Sequence, residues 1–286
     1  MPSAHFYRES FTPSQQNIDN SDENDVYIKN TADRQKNPQK NQMIGTQRIL
    51  AVCPARGGSK GIPLKNLAPF HGVPLIARVG QLVGEIPIID RAVVSTDHPD
   101  IAEIAKQSGL DAPFFRPQDL SGDRISDAPV LIHALEEMER LDRVQYDIVV
   151  MLQPTSPLRQ PEHVIRAIEM LVTEQWDAVW TLSETDSKSH PLKQLILDSD
   201  RIDYYDPNGS QIIARQQLTP VYHRNGVAYV MTRSCLLEGK SILGKRTGAL
   251  ILNEHLISID TMWDLKLAEF MFSSRQPSAD SLSQGE

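Results

Sequence analysis

At 286 residues, 40% of them apolar, the chain can bury one large α/β core or two small ones. Its two cysteines, Cys53 and Cys235, lack C-x-x-C or histidine spacing, which excludes a disulfide framework and a zinc cluster and suits a reducing, cytoplasmic setting. A formal net charge of −8 argues against nucleic acid as the main partner, and no apolar run reaches the roughly 18–20 residues that span a membrane.

Residues 1–43 are rich in Asn, Gln, Ser, Asp and Lys and lack apolar periodicity, which predicts a disordered tail. Glu9, Asp19, Asp22, Glu23 and Asp25 argue against a transit peptide, as does the missing apolar stretch against a signal peptide. A folded unit is expected over residues 44–272. Strands are predicted at 48–53, 91–95, 147–152, 178–182, 227–231 and 249–252, several apolar on both faces as in a buried parallel sheet. Between them, helices are predicted at 74–83, 100–108, 128–140 and 161–174. A last helix is expected from Thr261, where Thr261-x-x-Asp264 resembles a capping box. The alternation predicts an α/β, doubly wound, mainly parallel sheet of Rossmann-like type, with ligands at the carboxyl ends of its strands. Residues 184–222 break the rhythm with polar, Pro- and Asp-containing sequence, too long for an idle loop; substrate binding or dimerisation is expected there. Residues 273–286 are expected to be a disordered C-terminal tail.

The first strand runs into Pro54-Ala55-Arg56-Gly57-Gly58-Ser59-Lys60-Gly61, and Lys65 and Asn66 follow. Glycines beside Ser, Arg and Lys suit a loop whose amides approach an anion, and Arg56, Lys60 and Lys65 can converge on one polyphosphate. The spacing is neither a Walker A loop nor the dinucleotide G-x-G-x-x-G. Asp97 ends an apolar strand, where it can face a site or merely cap the next helix. Asp260 precedes the last helix, where it can hold a cation or complement the helix dipole. Gln153 and Thr155 stand at another strand end in a loop already shaped by Pro154 and Pro157.

The segment 50–66 resembles the signature of the acylneuraminate cytidylyltransferases (CMP-sialic acid synthetases), approximately A-R-x-x-S-K-G-[IL]-P-x-K-N. Further matches follow in family order: Ser95-Thr96-Asp97, Phe115-Arg116-Pro117, Gln153-Pro154-Thr155-Ser156-Pro157-Leu158-Arg159, His190-Pro191-Leu192-Lys193, Arg215-Gln216, Asn225-Gly226 and Ile259-Asp260-Thr261. The resemblance implies a nucleotidyltransferase that joins the anomeric hydroxyl of a sialic-acid-like nonulosonic acid to the α-phosphate of CTP and releases pyrophosphate. Residue by residue, it implies nucleotide contacts at Ala55, Arg56, Ser59, Lys60, Lys65, Asn66 and Arg116. It implies sugar contacts at Asn66, Gln153, Thr155, Lys193, Arg215 and Tyr222, and Mg2+ on Asp97 and Asp260. Arg56, Lys65, Arg215 and Asp260 are the expected catalytic set, in a homodimer formed through the excursion at 184–222. Legionaminate, pseudaminate or 3-deoxy-octulosonate are the alternative sugars, and a catalytically inactive nucleotide-binding protein is the alternative of another class. Ser258 stands where family members often carry a second aspartate, and Ile125 and Asp127 stand where many have small or hydroxyl residues.

Overall fold

The computed structural model describes residues 47–275. The expected N-terminal tail and residues 276–286 lie outside the described residues. The central sheet grows from β1 (Ile49–Pro54), whose side chains are buried up to its last residue. Ile49, Ala51 and Cys53 face one layer of helices, while Leu50 and Val52 face the other. That alternation inside a continuous apolar run is what a sheet covered on both faces requires. A short hairpin follows, β2 (Pro69–Phe70) and β3 (Val73–Pro74), turning at His71 and Gly72, both with positive φ. Next come α1 (Leu75–Gly84), β4 (Arg91–Ser95), α2 (Pro99–Gln107), α3 (Asp127–Asp142), β5 (Ile148–Met151), α4 (Pro161–Thr173) and β6 (Ala178–Glu184). A second hairpin, β7 (Leu195–Asp198) with β8 (Arg201–Tyr204), precedes β9 (Tyr222–Thr232), α5 (Arg233–Leu237), β10 (Thr247–Ile251) and α6 (Met262–Arg275).

The sheet order is β10-β6-β9-β5-β1-β4, with every neighbouring pair parallel except those made by β9. One layer packs α1, α2 and α4 through Ile76, Val79, Ile101, Val164 and Ile168; the other packs α3 and α5 through Leu131, Leu135, Met138 and Leu236. Each such fully buried aliphatic side chain contributes roughly 1.5–3 kcal/mol by leaving water. Both cysteines are buried members of these layers. Burial pushes the Cys53 thiol up to about 12, so it stays a neutral hydrophobe.

Three differences from expectation have physical causes. Strand β9 begins five residues before the expected position, because Tyr222–Arg224 are exposed and pair with Leu182–Glu184 of β6 without an apolar signature. The excursion contains a hairpin whose two strands are exposed along their whole length. Helix α6 continues to Arg275, three residues into the expected tail; Ser273 Oγ donates to Glu269 O and the Arg275 guanidinium to His255 O.

Candidate active site

The segment between β1 and β2 is set by a few contacts. Ala55 N–H donates to Ser95 O at 2.9 Å, tying the ends of β1 and β4 together; Ala55 is fully buried and belongs to the floor rather than the lining. Gly57 packs its backbone against the His98 ring, which a Cβ would meet at 2.9 Å. Gly61 approaches Asp260 so closely that a Cβ would lie 2.1 Å from its carbonyl oxygen, so only glycine fits. Directly after Gly61, Ile62 is buried in a small cluster with Phe70, Leu75, Leu158, Ile259 and Leu265. Asn66, also buried, donates Nδ2–H to Arg56 O at 2.9 Å. The loop is therefore glycine-rich yet anchored at both ends.

A cleft of about 720 Å³ opens at the carboxyl ends of β1 and β5. Arg56, Ser59, Lys60, Lys65 and Asn66 line one end. Gln153, Thr155, Ser258 and Asp260 line another wall, and Arg116, Leu120, Ile125, Asp127 and Val130 the third. Most of the expected nucleotide side and three expected sugar contacts, Asn66, Gln153 and Thr155, thus share one cleft. Lys193, Arg215 and Tyr222 are not among its lining residues; they stand exposed on the excursion.

The cations are held by internal carboxylates. Arg56 donates to Asp123 Oδ1 at 2.6 Å, and Lys60 Nζ lies 2.5 Å from Asp123 Oδ2. Lys65 Nζ donates to Asp260 Oδ1 at 2.8 Å and to Ile259 O at 2.9 Å. Hydrogen bonds from Lys60 and Arg56 hold the Asp123 carboxyl below the usual aspartate range. Gly57 N–H donates to Asp97 Oδ1 at 2.8 Å. Asp97 does not cap α2; His98 does, accepting from Asp100 N–H. Asp260 is spared capping too, since Thr261 and Asp264 form the reciprocal box that the spacing predicts.

Arg116 is buried and, among the described residues, makes no carboxylate pair. It donates Nε–H to Ser95 Oγ at 3.1 Å and its terminal nitrogen to Ser95 O. Burial lowers its pKa, opposed chiefly by the nearby Asp97 charge. At the start of α3, burial raises the Asp127 carboxyl above the ordinary range, opposed by Arg224 and Arg116.

Two contributors carried no assigned role in the sequence. Asp123 lies in an unremarkable Ser-Gly-Asp turn, although three clustered cations in an acidic protein call for local counter-charge. Arg159 is fully buried and donates to the carbonyls of Gln153, Gly226 and Val227. Burial lowers its pKa to about 10, so it remains a cation under the cleft wall. It fixes Gln153 against Gly226, whose φ of 73° and closeness to Gln153 Oε1 leave no room for a side chain. An arginine among prolines at a strand end was the available signal.

As a test for a divalent cation, the donors can be compared with what magnesium takes: one or two carboxylates completed by phosphate oxygens and water. Among the described residues no group of three or more His, Cys, Asp and Glu side chains is arranged to hold a metal. Asp97, which accepts from Gly57 N–H, and Asp260, which accepts from Lys65, are both exposed carboxylates; Asp260 lines the cleft and Asp97 does not, and each keeps one oxygen that could meet a magnesium shared with a phosphate ligand.

A family model described as "Cytidylyltransferase" matches residues 50–273. The chain belongs to the cytidylyltransferase family. Over 241 residues, 80% of this chain and 98% of the relative, it is 34% identical to the CMP-N,N'-diacetyllegionaminic acid synthase of Legionella pneumophila. It is 31% identical over 232 residues to the pseudaminic acid cytidylyltransferase of Campylobacter jejuni, again covering 80% and 98%. The N-acylneuraminate cytidylyltransferase of Escherichia coli is 29% identical over 227 residues, which are 77% of this chain but 51% of that longer protein. A CMP:2-keto-3-deoxy-manno-octonic acid synthetase solved with CTP shares the fold, with a TM-score of 0.58 at 18% identity, covering 80% of this chain and all of that one.

Proposed function

We propose that the chain transfers CMP from CTP to the anomeric hydroxyl of a nonulosonic acid and releases pyrophosphate. The observation that carries this is the single cleft in which Arg56, Lys60 and Lys65 meet at one end while Gln153 and Thr155 form another wall. Phosphoryl transfer asks a protein for positioning and charge neutralisation more than for covalent chemistry. Arg56, Lys60 and Lys65 take the triphosphate, and the buried Arg116 faces the nucleoside. Gln153, Thr155 and Ser258 offer an amide and hydroxyls to the sugar. Magnesium, held by Asp97 and Asp260 with phosphate oxygens, would supply neutralisation and alignment at the α-phosphate. Two relatives matched over 98% of their length are named for N,N'-diacetyllegionaminic and pseudaminic acids, which supports a nonulosonic acid of that kind as the sugar within this class.

Lys193, Arg215 and Tyr222 enter this reading through a second copy. The exposed excursion carries Leu197, Ile202, Tyr205 and Ile213 at its surface, and a homodimer that covers them would bring its cations toward a neighbouring cleft. Among the described residues no helix is long and apolar enough to cross a membrane, and we place the enzyme in the cytoplasm with its CTP supply. The test is pyrophosphate release with CTP, magnesium and a panel of legionaminate, pseudaminate, N-acetylneuraminate and 3-deoxy-octulosonate. Release with one of the first three is expected. Tight CTP binding without release for any sugar would instead identify an inactive nucleotide-binding protein.

A further inference from the structure

Arg56 and Lys60, two of the cations assigned to the triphosphate, are both held by one carboxylate. Asp123 reaches them from the segment before α3, across the cleft from the loop that carries them. One oxygen accepts from Arg56 and the other meets Lys60, at 2.6 and 2.5 Å. A carboxylate bridging two cations through separate oxygens reproduces the contacts that two oxygens of one phosphate would make. The same guanidinium nitrogen also reaches Ser121 O at 3.5 Å, so Arg56 is drawn toward the Asp123 segment as a whole. The Asp123 side chain is 44% exposed, so a displaced carboxylate moves into water rather than into the core.

On the CTP reading above, on which this inference rests, we propose that Asp123 is an intramolecular competitor for the polyphosphate. A triphosphate that reaches Arg56 and Lys60 must expel it, whereas a nucleoside monophosphate lodged near Arg116 leaves it in place. The exchange is one anion for another, so the cations are never left unpaired. A polyphosphate with several charges displaces a single carboxylate, and an isolated carboxylate or monophosphate does not. When pyrophosphate departs, Asp123 returns to the cations and opposes its rebinding. Asp123 thereby sets specificity for nucleotides with a polyphosphate tail and favours product release.

The full-length chain and its Asp123→Asn and Asp123→Ala variants test this by calorimetric titration with CTP, pyrophosphate and CMP, with and without magnesium. Loss of the competitor should tighten CTP and pyrophosphate binding by about three- to tenfold, as expected for two exposed ion pairs. CMP affinity and the unfolding temperature should not move, and inhibition by pyrophosphate should strengthen by the same factor. Weaker CTP binding in the variants would overturn the proposal by making Asp123 a support for the cations or a metal ligand. Unchanged binding, or an equal change for CMP and CTP, would overturn it as well. If the unsubstituted chain binds CTP no more tightly than CMP, the nucleotide reading itself fails and takes the inference with it, a result distinct from any variant effect.

Discussion

The phosphate end of the cleft and the excursion both carry cations expected to meet an anion, yet they are built in opposite ways. Around Arg56, Lys60 and Lys65 the backbone is pinned by Ile62 in an apolar cluster and by Gly61, where a side chain would meet the Asp260 carbonyl. Lys193 and Arg215 stand instead on exposed 3₁₀ turns beside a hairpin with no buried residue. The difference teaches where function is complete. On the proposed function, one chain preorganises the nucleotide half by itself, and preorganised charge is what stabilises a phosphoryl transition state. Lys193 and Arg215, proposed to read the sugar's charge, are not among the residues that line the cleft of one chain.

The strongest way to break this comparison is to remove a cation from the rigid half. Lys65→Ala should lower turnover by about 100- to 1000-fold with little change in unfolding temperature, as for other fixed transition-state donors. Steady-state pyrophosphate release and thermal unfolding check it, and unchanged turnover would remove the phosphates from this loop. Next comes the support of the cleft wall. Arg159→Met strands three carbonyls and should cost about 3 kcal/mol in urea unfolding, with Arg159→Lys recovering part of it.

The excursion gives a smaller and more selective effect. Leu197→Glu combined with Ile202→Glu should yield monomers by light scattering and lower sugar turnover by about tenfold, while CTP binding holds. A double variant that stays dimeric and fully active would erase the contrast between the halves. The smallest effect concerns Asp127. Its folded-state pKa is raised by burial, so its charged form is penalised in the fold. The penalty is absent at low pH, where the group is neutral in both states, and it grows as pH rises through the unfolded and then the folded pKa. Asp127→Asn should therefore be slightly more stable than the parent at about pH 7 and equal to it at about pH 3.

Legibility in the sequence followed the same division. The bounds of β4 are readable because the apolar Ala92–Val94 is flanked by Arg91 and by Ser95, Thr96 and Asp97. The Thr261–Asp264 box was readable because both partners lie within one helical turn. The loop's cations were readable because they are adjacent in sequence. Asp123 with Arg56 and Arg159 with Val227 were not, since each pair is separated by more than 60 residues and only the fold joins them. The β7–β8 hairpin escaped because its strands bury neither face, so no alternation marks them. The antiparallel course of β9 escaped because a strand buried on both faces reads alike in either direction.

That course has a consequence for how such enzymes diversify. The excursion leaves the sheet after Glu184 and returns at Tyr222, and these two residues face each other on neighbouring strands. An insertion that begins and ends on the same rung of a ladder imposes no length on the sheet beneath it. The 184–222 segment is thus a cassette plugged into a fixed socket. Its turns and hairpin can change in length and sequence without shifting the register of the strands beneath them.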